Sequence, residues 1–240
     1  MRYRFLLFDL DGTLLPMDKN LFLNGYLDAL SARLADYLPP NEFVRHLLGA
    51  TRAMIDNTDP RRTNEEVFME QFFTRTGLPP DAILPIFERF YRDEFPSLSR
   101  LTRPTPLARR VVSAALENGL TLAVATNAIF PRAAIEERLR WAGVADTPFR
   151  VITSYEIMHF CKPKPQYYEE IAALLGAEPE ECLMVGNDVE EDMVAAETGM
   201  GTYLVEDDLI HRGLRPCCPD FRGRLKDLLL FLTGRGRQYP

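Results

Sequence analysis

Apolar positions along the chain change period twice. The opening run Arg4–Leu10 (RFLLFDL) is short and almost unbroken, the pattern of a strand buried on both faces of a parallel sheet. It ends at Asp11-Gly12-Thr13, a turn signal. From about Pro16 to Arg100 the spacing becomes helical. Leu21, Tyr26, Leu27, Leu30, Leu34 and Tyr37 recur at that period. Pro39-Pro40 breaks this helix, and Asn41 offers a cap for the next, which runs on to Ile55. A loop follows over 57–62. Thr63 and Glu66 then form a capping-box pattern that opens a third helix, stopped by Gly77. Asp81 starts a fourth, carrying Ile86, Phe87, Phe90 and Tyr91. This region holds four helices and no strand.

After Arg103 the periods alternate. A helix from Thr105-Pro106 to Asn118-Gly119 precedes a strand over 120–126. Then come a helix over 131–141, a strand over 149–153, a helix over 165–175 and a strand over 182–186. A helix over 189–198, a strand over 201–205 and a final helix over 223–232 complete the series. Such alternation predicts an α/β fold, a doubly wound parallel sheet, with a smaller all-helical cap domain inserted after the first strand. The core domain is expected over 1–16 and 101–240, and the cap over 17–100. That layout puts the cap above the carboxyl ends of the strands, where open α/β sheets hold their ligands.

Composition narrows the function. With 240 residues, 46% of them hydrophobic, the chain can bury a sizeable core in one or two domains. The net charge is −7, and basic residues are not clustered. Residues 17–100 hold 10 Lys and Arg against 13 Asp and Glu, and the rest hold 18 against 22. A nucleic-acid binder concentrates basic charge, so that role is excluded as the main business. No apolar run approaches the ~20 residues of a membrane span. The N-terminal MRYRFLLFDLDGT is too short and too charged for a signal peptide, so the expected location is cytoplasmic. Cys161, Cys182, Cys217 and Cys218 contain no CxxC pair and read as reduced thiols.

The polar residues at the carboxyl ends of the expected strands are Asp9 and Asp11, Thr126 and Asn127, Lys162, then Asn187, Asp188 and Asp192. Carboxylates, a hydroxyl and one cation form the inventory for a Mg²⁺ ion beside a phosphate. The donors are hard oxygens, without His or Cys. His46, His159 and His211 have no ligand-like spacing and read as structural. Trp141 and the stripe Phe68, Phe72 and Phe73 read as packing.

FDLDGTL, ATN, KPKPQYY and VGNDVEEDMVAAETGM, in this order, resemble the four motifs of the haloacid dehalogenase superfamily. The likeness covers 1–16 and about 101–210. It is to phosphatase-type members, similar to phosphoglycolate phosphatases, with a helical cap between the first two motifs. The resemblance implies that Asp9 is the nucleophile and forms an aspartyl phosphate. It implies that Asp11 is the general acid and then the general base. Thr126 and the Asn127 N–H would hold the phosphoryl oxygens, and Lys162 would neutralise charge. Mg²⁺ would be bound by Asp9, the Asp11 carbonyl and the acid of the fourth motif. Asn187 stands where the commoner motif has an acid. Asp188 is therefore expected to be the direct ligand, with Asp192 acting directly or through water.

The presence of Asp11 favours phosphoryl transfer over dehalogenation. The expected activity is a Mg²⁺-dependent phosphatase acting on a small phosphorylated metabolite. The alternatives are a phosphomutase on a sugar phosphate and a non-catalytic binding protein on the same fold. In the cap, Arg52 is a candidate for binding a second anionic group of the substrate, as are Arg61 and Arg62, against the reading that they are solvated. Glu190 and Glu191 read as acids complementing a helix dipole, and Lys164 as a surface residue. The chain is expected to be a monomer or a homodimer, and 207–219 matches no motif.

Overall fold

A computed structural model describes residues 3–234. The expected core domain extends beyond these at both ends, and those residues lie outside the described ones. Strand β1 (Phe5–Phe8) is followed by helices α1 (Lys19–Arg33), α2 (Pro40–Asp56), α3 (Asn64–Thr76) and α4 (Pro80–Asp93) and a 3₁₀ segment (Phe95–Leu101). Then come α5 (Pro106–Glu117), β2 (Thr121–Val124), α6 (Arg132–Trp141), β3 (Val151–Ile152) and α7 (Pro165–Leu175). Last among the described residues come β4 (Cys182–Gly186), β5 (Gly201–Val205), β6 (Phe221–Gly223) and α8 (Leu225–Leu232).

The six strands form one sheet in the order β3-β2-β1-β4-β5-β6, all parallel. The expected α/β class holds. Strand order reverses at β1, which pairs with β2 on one side and β4 on the other. That is the switch point where such sheets open a crevice. Side chains alternate between faces. Leu6 and Phe8 join the apolar cluster that includes α5, α6 and α8, while Phe5 and Leu7 join the one built on Tyr167, Tyr168 and Ile171 of α7. The first cluster continues into α1 to α4 through Phe22, Tyr26, Phe43 and Phe72.

The chain leaves the sheet and returns to it side by side. Met17 and Thr102 form an antiparallel bridge, and the Arg103 N–H donates to the Pro16 carbonyl at 2.7 Å. Between them, α1 is capped by Asp18, whose carboxylate accepts from the N–H groups of Asn20 and Leu21. The capping box of α3 is present in both directions between Thr63 and Glu66. Helix α2 starts at Pro40, one residue before the expected cap. Proline fits the first helical position because its missing N–H would have no partner there, so Asn41 lies inside the first turn.

Two other expectations change. The helix expected over 189–198 forms only as a 3₁₀ segment, Met193–Thr198. The preceding residues are wound onto Asp188, whose Oδ1 accepts from the N–H groups of Glu190 and Glu191 at 3.1 Å. The final helix starts two residues late, because Phe221–Gly223 pairs with β5 as a sixth strand. No helix among the described residues is long and apolar enough to cross a membrane.

Candidate active site

The carboxyl ends of β1, β2 and β4 meet around one buried ammonium group. Asp9 follows β1, and its N–H donates to the Val185 carbonyl of β4 at 2.9 Å. Lys162 Nζ donates to Asp9 Oδ1 at 2.9 Å and to Asp192 Oδ1 at 2.6 Å. Burial disfavours the lysine's charge, but Asp192 and Asp9 outweigh it and hold the Lys162 pKa well above the ordinary lysine value. Both oxygens of Asp192 are used, since Oδ2 accepts from the Asp188 N–H at 2.9 Å. The loop that carries Lys162 is fixed to the loop after β2, because the Lys162 N–H donates to Asn127 Oδ1 at 3.1 Å. The Thr126 carbonyl accepts from Thr153 Oγ1 and from the Tyr167 hydroxyl, which anchors the same turn.

Asp9, Asp11, Thr126 and Asn127 line one pocket of about 270 Å³, together with Lys19 and Glu191. Four of the expected site residues are thus brought together, with Lys162 and Asp192 directly beneath Asp9. Asp11 faces a partner far from it along the chain. The Arg138 guanidinium of α6 pairs with Asp11 Oδ2 and stacks over the Phe130 ring at 4.5 Å. Burial raises the Asp11 pKa above the ordinary carboxylate value, and Arg138 opposes that rise. Arg138 is itself buried.

Asp188 is buried and doubly held. Arg212 donates to both of its oxygens at 2.8 Å, and Lys19 Nζ lies 3.9 Å from Oδ2. The segment 207–219 therefore has a definite place. Its Ile210 bridges to Asp188, the Asp208 carbonyl accepts from the Asn187 amide at 2.6 Å, and Glu190 accepts from the N–H groups of Arg212 and Leu214. Glu190 thus holds this segment rather than complementing a helix dipole. Lys164 is no free surface residue either: its ammonium donates to the Ile55 carbonyl at the end of α2, where a cation complements the helix dipole.

A family model described as haloacid dehalogenase-like hydrolase matches residues 3–199. The chain belongs to this family. Among curated relatives of this haloacid dehalogenase-like hydrolase, Pyrophosphatase PpaX of Anoxybacillus flavithermus is 26% identical over 239 residues, covering 97% of this chain and 98% of the relative. Phosphoglycolate phosphatase of Agrobacterium fabrum is 29% identical over 196 residues, covering 79% of this chain and 74% of the relative. Among solved structures, a HAD phosphatase from Thermococcus onnurineus superposes with a TM-score of 0.58 at 22% identity, over 98% of this chain and 99% of that one. The expectation of a hydrolase similar to phosphoglycolate phosphatases agrees with these names.

The donors fit Mg²⁺. They are all oxygens, and a cation is already drawn between them. Burial disfavours the charge on Lys19, yet Asp9, Asp192, Glu191 and Asp188 outweigh it and raise its pKa above the ordinary value. Among the described residues, no three His, Cys, Asp or Glu side chains form a closed cage. Mg²⁺ needs none, because it takes one or two carboxylates and fills its octahedron with water and substrate phosphate.

Arg52 stands apart. It is exposed, pairs with Asp56 one turn along α2, and does not line the pocket. Sequence reasoning missed Lys19, Arg138 and Arg212. Lys19 had a local signal, since it follows directly on the capping Asp18 and is one of four lysines beside 24 arginines. Arg138 and Arg212 had none, because their partners lie 127 and 24 residues away.

Proposed function

We propose that this hydrolase is a Mg²⁺-dependent phosphatase that transfers the phosphoryl group of a small phosphorylated metabolite to Asp9 and then to water. The observation that carries this reading is the arrangement of Asp9 and Asp11. Both line one pocket, yet each has its own cation, Lys162 for Asp9 and Arg138 for Asp11. Two carboxylates in different environments can take different roles.

In the first step an Asp9 oxygen bonds to phosphorus as the bond to the leaving oxygen breaks. Asp11 gives that oxygen its proton, and its raised pKa favours the protonated form. In the second step Asp11 takes a proton from water, which attacks the aspartyl phosphate. Phosphate leaves and Asp9 is restored. Thr126 and the Asn127 N–H steady the phosphoryl oxygens, and Lys162 balances the charge gathered on Asp9. Mg²⁺ would be held by Asp9, the Asp11 carbonyl and Asp188, and would supply charge neutralisation where two anions meet. Asp192 orients Lys162, whose ammonium donates to its Oδ1 at 2.6 Å.

Residues 17–100 act as the cap and 1–16 with 101–240 as the core, a division supported by the bridge between Met17 and Thr102. The cap shields the first step from water. The test is inorganic phosphate release from phosphomonoesters and pyrophosphate, with Mg²⁺ and with EDTA. Release should require Mg²⁺ and fall by at least ~10³-fold in Asp9→Asn, with an unchanged far-UV spectrum. Full turnover by folded Asp9→Asn would overturn the mechanism.

A further inference from the structure

The catalytic pocket has an apolar wall beside its charged residues. Phe22 and Leu23 from α1 and Ile129 and Phe130 from the loop after β2 line it together with Asp9 and Asp11. Leu23, Ile129 and Phe130 also line a second space of about 70 Å³, bordered by α1 to α4. That is several times the ~10–15 Å³ a single water requires. Its other walls include Leu27, Leu30 and Phe68. Its polar atoms are already partnered: the Tyr26 and Tyr91 hydroxyls bond each other at 2.8 Å, and the Thr51 hydroxyl donates to the Leu47 carbonyl.

Cations are missing from this side. Among the residues lining the two spaces Lys19 is the one cation, and it leans on Asp188 within reach of Asp9, Asp192 and Glu191. Arg138 stacks on Phe130, pairs with Asp11 through Nη1 and leaves Nη2 without a partner, but it lines neither space. Arg52, Arg61 and Arg62 pair with Asp56, Asp59 and Glu70 and line neither space. A second phosphate or a carboxylate on the leaving group would lose its water here without gaining a cation. A carbon chain or ring gains by leaving water for these apolar walls.

Resting on the phosphatase reading, we propose that the leaving group is an uncharged, mainly apolar alcohol. Its carbon skeleton lies along Leu23, Ile129 and Phe130 and reaches into the slot behind them. The substrate class is thus a phosphomonoester of an apolar alcohol, with the phosphoryl group as its only anion.

The experiment compares kcat/KM with Mg²⁺ for four probes: pyrophosphate, 2-phosphoglycolate, propyl phosphate and hexyl phosphate. Hexyl phosphate should exceed propyl phosphate by at least about 10-fold, the effect of added methylenes in an apolar pocket. Both anionic-leaving-group probes should fall at least about 10-fold below propyl phosphate. Thr51→Met, which fills the slot at a half-buried position, should remove the advantage of hexyl over propyl phosphate and leave propyl phosphate unchanged. The probe series stands without the variant, should that fail to fold. Equal rates, or a preference for pyrophosphate or phosphoglycolate, would overturn the proposal while the phosphatase reading stands. Release from none of the four by folded protein would overturn both.

Discussion

At the carboxyl end of the sheet, Lys162, Asp9, Asp188 and Asp192 are all buried and all paired. On the helical insertion Arg33, Arg52 and Arg62 pair as well, but in water. The contrast is sharpest between Lys162–Asp192, with side chains 0% and 1% exposed, and Arg52–Asp56, at 75% and 56%. An exposed pair is screened and contributes up to ~1 kcal/mol. A buried pair exists against a large desolvation cost, and loss of one partner strands the other. The same residue types are therefore buried and paired in one region and solvated in the other. What the insertion buries is aromatic instead: Phe90 and Phe95 pack edge to face on Tyr26, Phe22 packs edge to face on Phe95, and Phe95 stacks on Trp141 of α6 at 5.3 Å.

The comparison can be broken most directly at Lys162. Lys162→Met strands Asp9 and Asp192 in the interior and should lower unfolding free energy by ~3–5 kcal/mol, read by urea denaturation. A loss below ~1 kcal/mol would show that the buried charges are no more costly than those on the surface. Arg138→Met comes next. It should lower kcat/KM by about 10²-fold through a misplaced Asp11. It also removes the charge that opposes the raised Asp11 pKa. The protonated form is the active one in the proposed first step, so kcat/KM should fall as pH rises through that pKa. The alkaline limb should therefore move to higher pH in the variant, and a limb that stays in place would separate Asp11 from Arg138. The smallest effect belongs to the insertion. Arg52→Gln should change stability by no more than ~0.5 kcal/mol and kcat/KM by less than about twofold. A selective rise in KM there would return Arg52 to the substrate.

Much of this contrast is legible before folding. Asp9 and Asp11 stand two apart at the end of an apolar run, and Thr126, Lys162 and Asp188 follow later strands or their loops, so the convergence at one sheet edge could be read from order alone. Arg52, also read as a site residue, could not be separated from the true pocket residues by its type. Burial separates them, and burial depends on which helix face meets the core.

Local pattern determined the elements whose information is local. Cys182–Gly186, Gly201–Val205 and Pro165–Leu175 fall on the expected residues, because an unbroken apolar run or a Pro-to-Gly frame needs no distant partner. The capping box at Thr63 closes within four residues for the same reason. Tertiary structure alone decided the rest. Phe221–Gly223 has three residues and no apolar alternation, and becomes a strand only because β5 offers an open edge. Residues 189–192 leave the helix because Asp188 and Asp192 are held by Arg212 and Lys162. Arg138 meets Asp11 only when α6 packs beneath the insertion. A sequence writes the propensity of each segment, but the partner of a buried charge is chosen by packing, and in this chain those partners complete the site.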